Sequence, residues 1–205
     1  MARNLSNFLI FQAAWAVCVL GAAAGHPWLG AGLGALLLLA NLLFVARRAR
    51  AREVRLWLAV GAVGVTLDTA LQSAGLVGFP EAARPAGALW EYLAPPWIAV
   101  LWVAVGSMLR ASMSWLHGRL GLAAVLGAVG GPLSFWSGIR LGATEMPAGA
   151  GSVAALFIEY ALVFPILLRH ARTPAADRDQ AAARSQDRST GPETPDRSAH
   201  RSDAP

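Results

Sequence analysis

NLSNFLIFQAAWAVCVLGAAAGHPWLGAGLGALLLLANLLFVA, residues 4–46, runs for 43 residues between Arg3 and Arg47 without a formal charge. As one helix rising 1.5 Å per residue it would extend about 65 Å, twice the roughly 30 Å thickness of a bilayer's hydrocarbon core. It must turn back. Gly25, His26 and Pro27 supply the break, because proline has no amide hydrogen for a helix interior and favours a helix start. Helices near 5–24 and 28–46 result. A cleaved signal peptide is the competing interpretation, helped by the short stretch Met1 to Asn4 and by Ala22 to Ala24. The immediate return through a second apolar helix argues against it.

The rest of the chain extends the pattern. Of 205 residues 56% are hydrophobic and 14% charged, and all 17 basic residues are arginine. A soluble domain of this size spends roughly a quarter of its residues on charge, so the medium is lipid. A third span runs over about 56–77, interrupted by Asp68. A fourth begins at Pro95, Pro96 and Trp97 and reaches residue 115 if Arg110 snorkels to the headgroups. The fifth covers 120–139 and the sixth 152–168, with Glu159 near its middle. The expected fold is therefore an all-α integral membrane protein, a polytopic bundle of about six helices. The count falls to five if the fourth segment is re-entrant, where other protein or water must satisfy its backbone.

Arginine orients the bundle. Arg3, the cluster Arg47, Arg48, Arg50, Arg52 and Arg55, then Arg110, Arg119 and Arg169 fall on one side; only Arg84 and Arg140 fall opposite. That bias places both termini in the cytoplasm. Trp28, Trp57, Trp90, Trp97, Trp115 and Trp136 stand near helix ends, where amphipathic rings favour the interface, whereas Trp15 and Trp102 lie deeper. A basic loop attracts anionic lipid or nucleic acid, but its topogenic role already accounts for it, and no nucleic-acid module is present. Residues 1–170 form the membrane domain. Residues 171–205, with six Arg and six acids and almost no large apolar side chains, read as a disordered cytoplasmic tail that lacks the means to bury a core.

Asp68 and Glu159 are the sharpest features. A charged side chain at the centre of a membrane helix costs about 2.5–3.5 kcal/mol on insertion scales, so each acid needs protonation, a partner in the bundle, or a wet cavity holding a cation or proton. A purely structural role, as a hydrogen-bonded carboxyl, competes with transport or binding. Thr66, Thr69 and Gln72 surround Asp68, and Gln72, one turn on, shares its face. Arg140 follows a run from Gly130 to Ile139 in which Gly127 with Gly131 and Gly138 with Gly142 have small-xxx-small spacing. Pro132 in this run can open a local break and a polar site. Arg140 has three possible roles: binding an anion, pairing with Asp68 or Glu159, or anchoring the end of its helix.

Other chemistry has less support. Cys18 is alone, which excludes an intrachain disulfide and any cysteine cluster. His26 and His117 have no ligand pattern around them, so neither metal nor cofactor is expected. Ser134 and Ser137 lack a nucleophile elbow or an intramembrane base, leaving an enzyme function unsupported. Three spans per half, each third span carrying one acid, would match an inverted repeat of the kind found in transporters, although the halves share no sequence identity.

Several short stretches occur in an ordered series: Asn7 to Gln12; Leu67 and Asp68 with Gly75 and Leu76; Ala94 to Trp97; Gly131 to Phe135; then Gly138 with Leu141 to Ala143. Together they resemble the bacterial inner-membrane family catalogued as domain of unknown function 2878, over about residues 4–170. The resemblance implies a small multi-helix inner-membrane protein and brings no substrate or catalytic residues. Two functions compete. One is a small transporter or permease for a small solute or proton, using Asp68, Glu159, Arg140 and Gln72. The other is a noncatalytic scaffold or assembly protein whose acids specify helix pairing with a membrane-protein partner. Membrane lipids are partners in either case.

Overall fold

The computed structural model describes residues 2–44 and 49–172. Arg47, Arg48 and the tail from residue 173 onward lie outside the described residues, as does the side chain of Arg3. Pro27 opens α2 (Pro27–Leu43) at a position where its missing amide costs nothing, and a tight turn joins it to α1 (Ala2–Ala23). α3 (Arg50–Ser73) starts earlier than the apolar pattern predicts. Its arginines are good helix formers, Glu53 favours the first turn, and Arg55 Nε donates to the Ala51 carbonyl at 3.2 Å. It also ends earlier than the predicted residue 77, since Val77 serves as buried packing in the following loop instead.

That loop carries a one-turn helix, α4 (Leu89–Tyr92), and leads to α5 (Pro96–Met108), of 13 residues. The predicted extension to residue 115 is absent. The chain turns after Met108 because Arg110 is held: its Nε donates to the Ala171 carbonyl at 2.7 Å and its Nη1 pairs with Glu53 at 3.2 Å. α6 (Leu120–Leu141) and α7 (Ala150–Ala171) complete the bundle. The expected break at Pro132 does not occur; α6 runs through it unbroken, one lost backbone bond being tolerable where α7 packs alongside.

Four helices, Asn4–Ala23 within α1, α3, α6 and α7, are long and apolar enough to cross a membrane, and α2 and α5 are shorter apolar helices. Their outward faces are apolar: Leu20, Leu36, Leu43, Ile158 and Leu162 are each more than half exposed. The interior instead holds Asn7, Asn41, Asp68, Ser107, Ser152 and Glu159 among small residues. This inversion of the soluble pattern suits a lipid surround, which rewards close packing and internal polar bonds. The chain is an all-α, multi-pass membrane protein.

Neighbours in sequence pair in space, α1 with α2, α3 with α5 and α6 with α7, while α5 also packs against α1 and α2. The α6–α7 hairpin touches the rest only sparsely. At one end, here the loop end, Gly78 and Glu145 exchange backbone hydrogen bonds of 2.9 and 2.8 Å, and Trp97 Nε1 donates to the Ala83 carbonyl at 2.9 Å. The opposite end carries Arg50, Arg52, Arg55, Arg110, Arg119 and Arg169 and is called the arginine end.

Candidate functional site

Two aromatic rings occupy the seam between the hairpin and the rest. Trp102 of α5 lies flat on α3 at Gly64, where a Cβ would overlap the indole. Tyr160 of α7 lies on α6 at Gly131, where a Cβ would overlap the phenol ring. The rings stack, with centroids 5.3 Å apart and planes inclined by 23°. Small residues at these two positions therefore do more than bring helix backbones together. They create flat seats that bring side chains from α3, α5 and α7 to one depth.

The acids meet there. Trp102 Nε1 donates to Asp68 Oδ2 at 2.6 Å, a short bond between buried groups. Glu159, buried and next to Tyr160 on α7, and Asp68, bonded to Trp102, are thus linked through the stacked ring pair. Asp68 Oδ1 and both Glu159 oxygens are buried without a hydrogen-bond partner. Such atoms are expensive inside a protein, because the water they left is not replaced.

A cavity of about 590 Å³ adjoins Asp68, Trp102 and Tyr160, between α1 and α5 on one side and the α6–α7 hairpin on the other. Its walls are mainly apolar and aromatic, with Asp68 as the one charged residue among them. A hydrogen bond crosses the seam at mid-depth, from Trp15 Nε1 on α1 to Ser134 Oγ on α6, at 3.1 Å.

The remaining sequence candidates stand apart. Arg140 is exposed on the last turn of α6, its guanidinium 5.8 Å from the centre of the Trp136 ring, and does not line the cavity. Gln72 donates from Nε2 to the Glu91 carbonyl at 3.0 Å, tying α3 to the loop end, while its Oε1 is buried without a partner. The structure thus brings Asp68 and Glu159 together and leaves Arg140 and Gln72 elsewhere. Among the described residues, no group of three His, Cys, Asp or Glu side chains is placed to hold a metal ion.

With a membrane bundle and a buried acid pair in view, the comparison with known families is informative. Residues 4–166 match the family described as protein of unknown function, DUF2878. The chain belongs to this family. It is accordingly a bacterial multi-pass inner-membrane protein, and the match spans every residue of the seam site. No curated protein and no solved structure matches the chain.

Sequence reasoning missed the partners of the acids. Trp102 and Tyr160 sit within apolar runs where hydropathy gives no face. A signal was nonetheless available: a deep tryptophan carries an indole N–H that needs an acceptor. Trp15 and Trp102, the two placed away from the helix ends, find Ser134 and Asp68. Asn7 was missed likewise; its Nδ2 donates to the Ser107 carbonyl at 3.2 Å and its Oδ1 accepts from Ser112 Oγ at 2.8 Å, joining α1 to the end of α5.

Proposed function

We propose that this protein is a small, noncatalytic transporter that binds a proton or small cationic solute at the Asp68–Glu159 pair and moves it across the inner membrane. In this proposal α1, α2, α3, α5, α6 and α7 are six spans, the arginine end and both termini face the cytoplasm, and residues 171–205 form a cytoplasmic tail. What supports it is one observation. Two carboxyls from different helices lie beside one stacked ring pair, Trp102 and Tyr160, and three of their four oxygens are buried without a donor. A bare carboxyl pair there is a cost that a cation or proton relieves.

The test uses full-length protein in liposomes containing a pH-sensitive dye, under an imposed potassium diffusion potential. Proton entry above that of empty vesicles is expected, and Glu159→Gln should abolish it while the unfolding temperature in detergent holds or rises. Flux equal to empty vesicles, or flux indifferent to both Glu159→Gln and Asp68→Asn, overturns the proposal. A scaffold or assembly role draws on a different observation, the Trp102–Asp68 bond that joins α3 to α5. It predicts that Asp68→Asn lowers stability or the recovery of a membrane-protein partner, with no proton flux to lose.

A further inference from the structure

We infer that the seam cavity binds a lipophilic organic cation, taken directly from the bilayer between α1 and α6, with Asp68 as its counter-charge. The inference rests on the transport proposal and names the substrate class for that site. Access comes first. Phe8 and Gln12 on α1, and Leu126, Gly130 and Leu133 on α6, line the cavity and are also exposed. They lie on helices long and apolar enough to span the membrane, so their exposure is to lipid. The loop end is roofed by Phe79, edge-on to Trp97, and by the buried Ala83 that accepts the Trp97 N–H. Toward the arginine end, Met113 and the buried Leu116 form the floor, with the exposed Trp115 at its edge. The side route between α1 and α6, bridged by Trp15 and Ser134, is the opening, and the exposed Gln12 gives it a polar group on an otherwise apolar face.

Chemistry then selects the occupant. Nine of the lining side chains are aromatic, none is Arg, Lys or His, and the single ionisable acid is Asp68, whose Oδ1 has no partner. Ring faces attract a cation that lies within about 6 Å of them, most strongly once it is desolvated. A hydrated metal ion demands a shell of oxygen ligands that these walls lack. A cation whose charge is sheathed in apolar groups arrives already desolvated, partitions into the bilayer, and finds both the rings and the carboxyl. The volume is within the range of about 300–1,000 Å³ usual for drug-sized ligands.

The experiment titrates full-length protein in detergent micelles with tetraphenylphosphonium, following tryptophan fluorescence, beside neutral triphenylphosphine oxide. Saturable binding of the cation is expected, with the neutral compound weaker by about tenfold or more. Asp68→Asn should weaken the cation by a similar factor, while Asp68→Glu, which keeps the charge, should retain binding, so that a loss in Asp68→Asn is assigned to the charge and not to a loosened fold. Gly130→Leu adds bulk at an exposed residue that lines the cavity and whose Cβ would meet nothing within 4 Å, so it should narrow the opening, with an unchanged unfolding temperature showing that packing is kept. In nanodiscs it should slow association several-fold. Equal affinity for the neutral compound, absence of saturable cation binding, wild-type affinity in Asp68→Asn, or a loss in Asp68→Glu equal to that in Asp68→Asn overturns the inference. Binding in micelles needs no movement across a bilayer, so cation binding with neither proton entry nor uptake of the cation into the liposomes defeats the transport proposal alone. Proton flux without cation binding defeats only the inference.

Discussion

The four-helix part, α1, α2, α3 and α5, and the α6–α7 hairpin are held by different means. In the former, α5 packs against α1, α2 and α3, and α1 against α2, with Asn7 and Trp102 adding bonds between helices. The hairpin is tightly paired within itself but joins the rest through scattered links: Glu145 with Gly78 at the loop end, Ser134 with Trp15 at mid-depth, and Ala171 with Arg110 at the arginine end. Close packing makes a rigid wall; sparse linkage leaves a seam. The buried acids and the cavity lie along that seam, where one side is fixed and the other is held at a few points.

Substitutions can sharpen or break this contrast. The largest effect is expected from Gly64→Val, which places carbon where the Trp102 ring lies and so attacks the rigid wall; overpacking of this kind costs about 3 kcal/mol. A marked fall in unfolding temperature in detergent checks it, and a wild-type value would show that the wall yields more readily than its packing implies. Arg110→Ala removes one end of the hairpin's attachment together with the Glu53 pair, for about 2 kcal/mol given charge-assisted bonds. Hydrogen exchange should rise in α7 more than in α2. Equal rises in both would dissolve the distinction between wall and hairpin.

Smaller effects test the seam itself. Glu159→Gln should raise stability, by about 1 kcal/mol, because it replaces a buried acid whose oxygens bond to nothing. A drop in unfolding temperature would reveal a structural duty for that carboxyl. Trp15→Phe keeps the ring and deletes the bond to Ser134; membrane hydrogen bonds average about 0.6 kcal/mol, so stability should barely change while exchange near the middle of α6 increases.

Much of the scaffold was legible in the sequence because hydrocarbon thickness sets helix length and arginine avoids lipid. The Gly25–His26–Pro27 turn and the acids Asp68 and Glu159 needed no neighbours to be noticed. Helix ends were less legible where a residue had a tertiary alternative: Val77 left α3 to pack in a loop, and Arg110 ended α5 by binding Ala171 and Glu53. The association of the acids with Trp102 and Tyr160 depends on Gly64 and Gly131 serving as seats for rings. Spacing reveals that two glycines share a helix face, but not which side chain will lie on them. The glycine run and Pro132 before Arg140 point toward a site, whereas its place over Trp136 on the last turn of α6 is that of an interfacial anchor, the third of the roles open to it.

The bond between Trp102 and Asp68 also has a bearing on the order of assembly. Synthesis delivers α3 and α5 well before α6 and α7, and a membrane protein assembles from helices that enter the bilayer in sequence. During that interval Asp68 has no hairpin to cover it, yet its indole donor is already made. The tryptophan thus shelters an acid from lipid until the last two helices arrive, and the cavity comes into being only with residues 120–171.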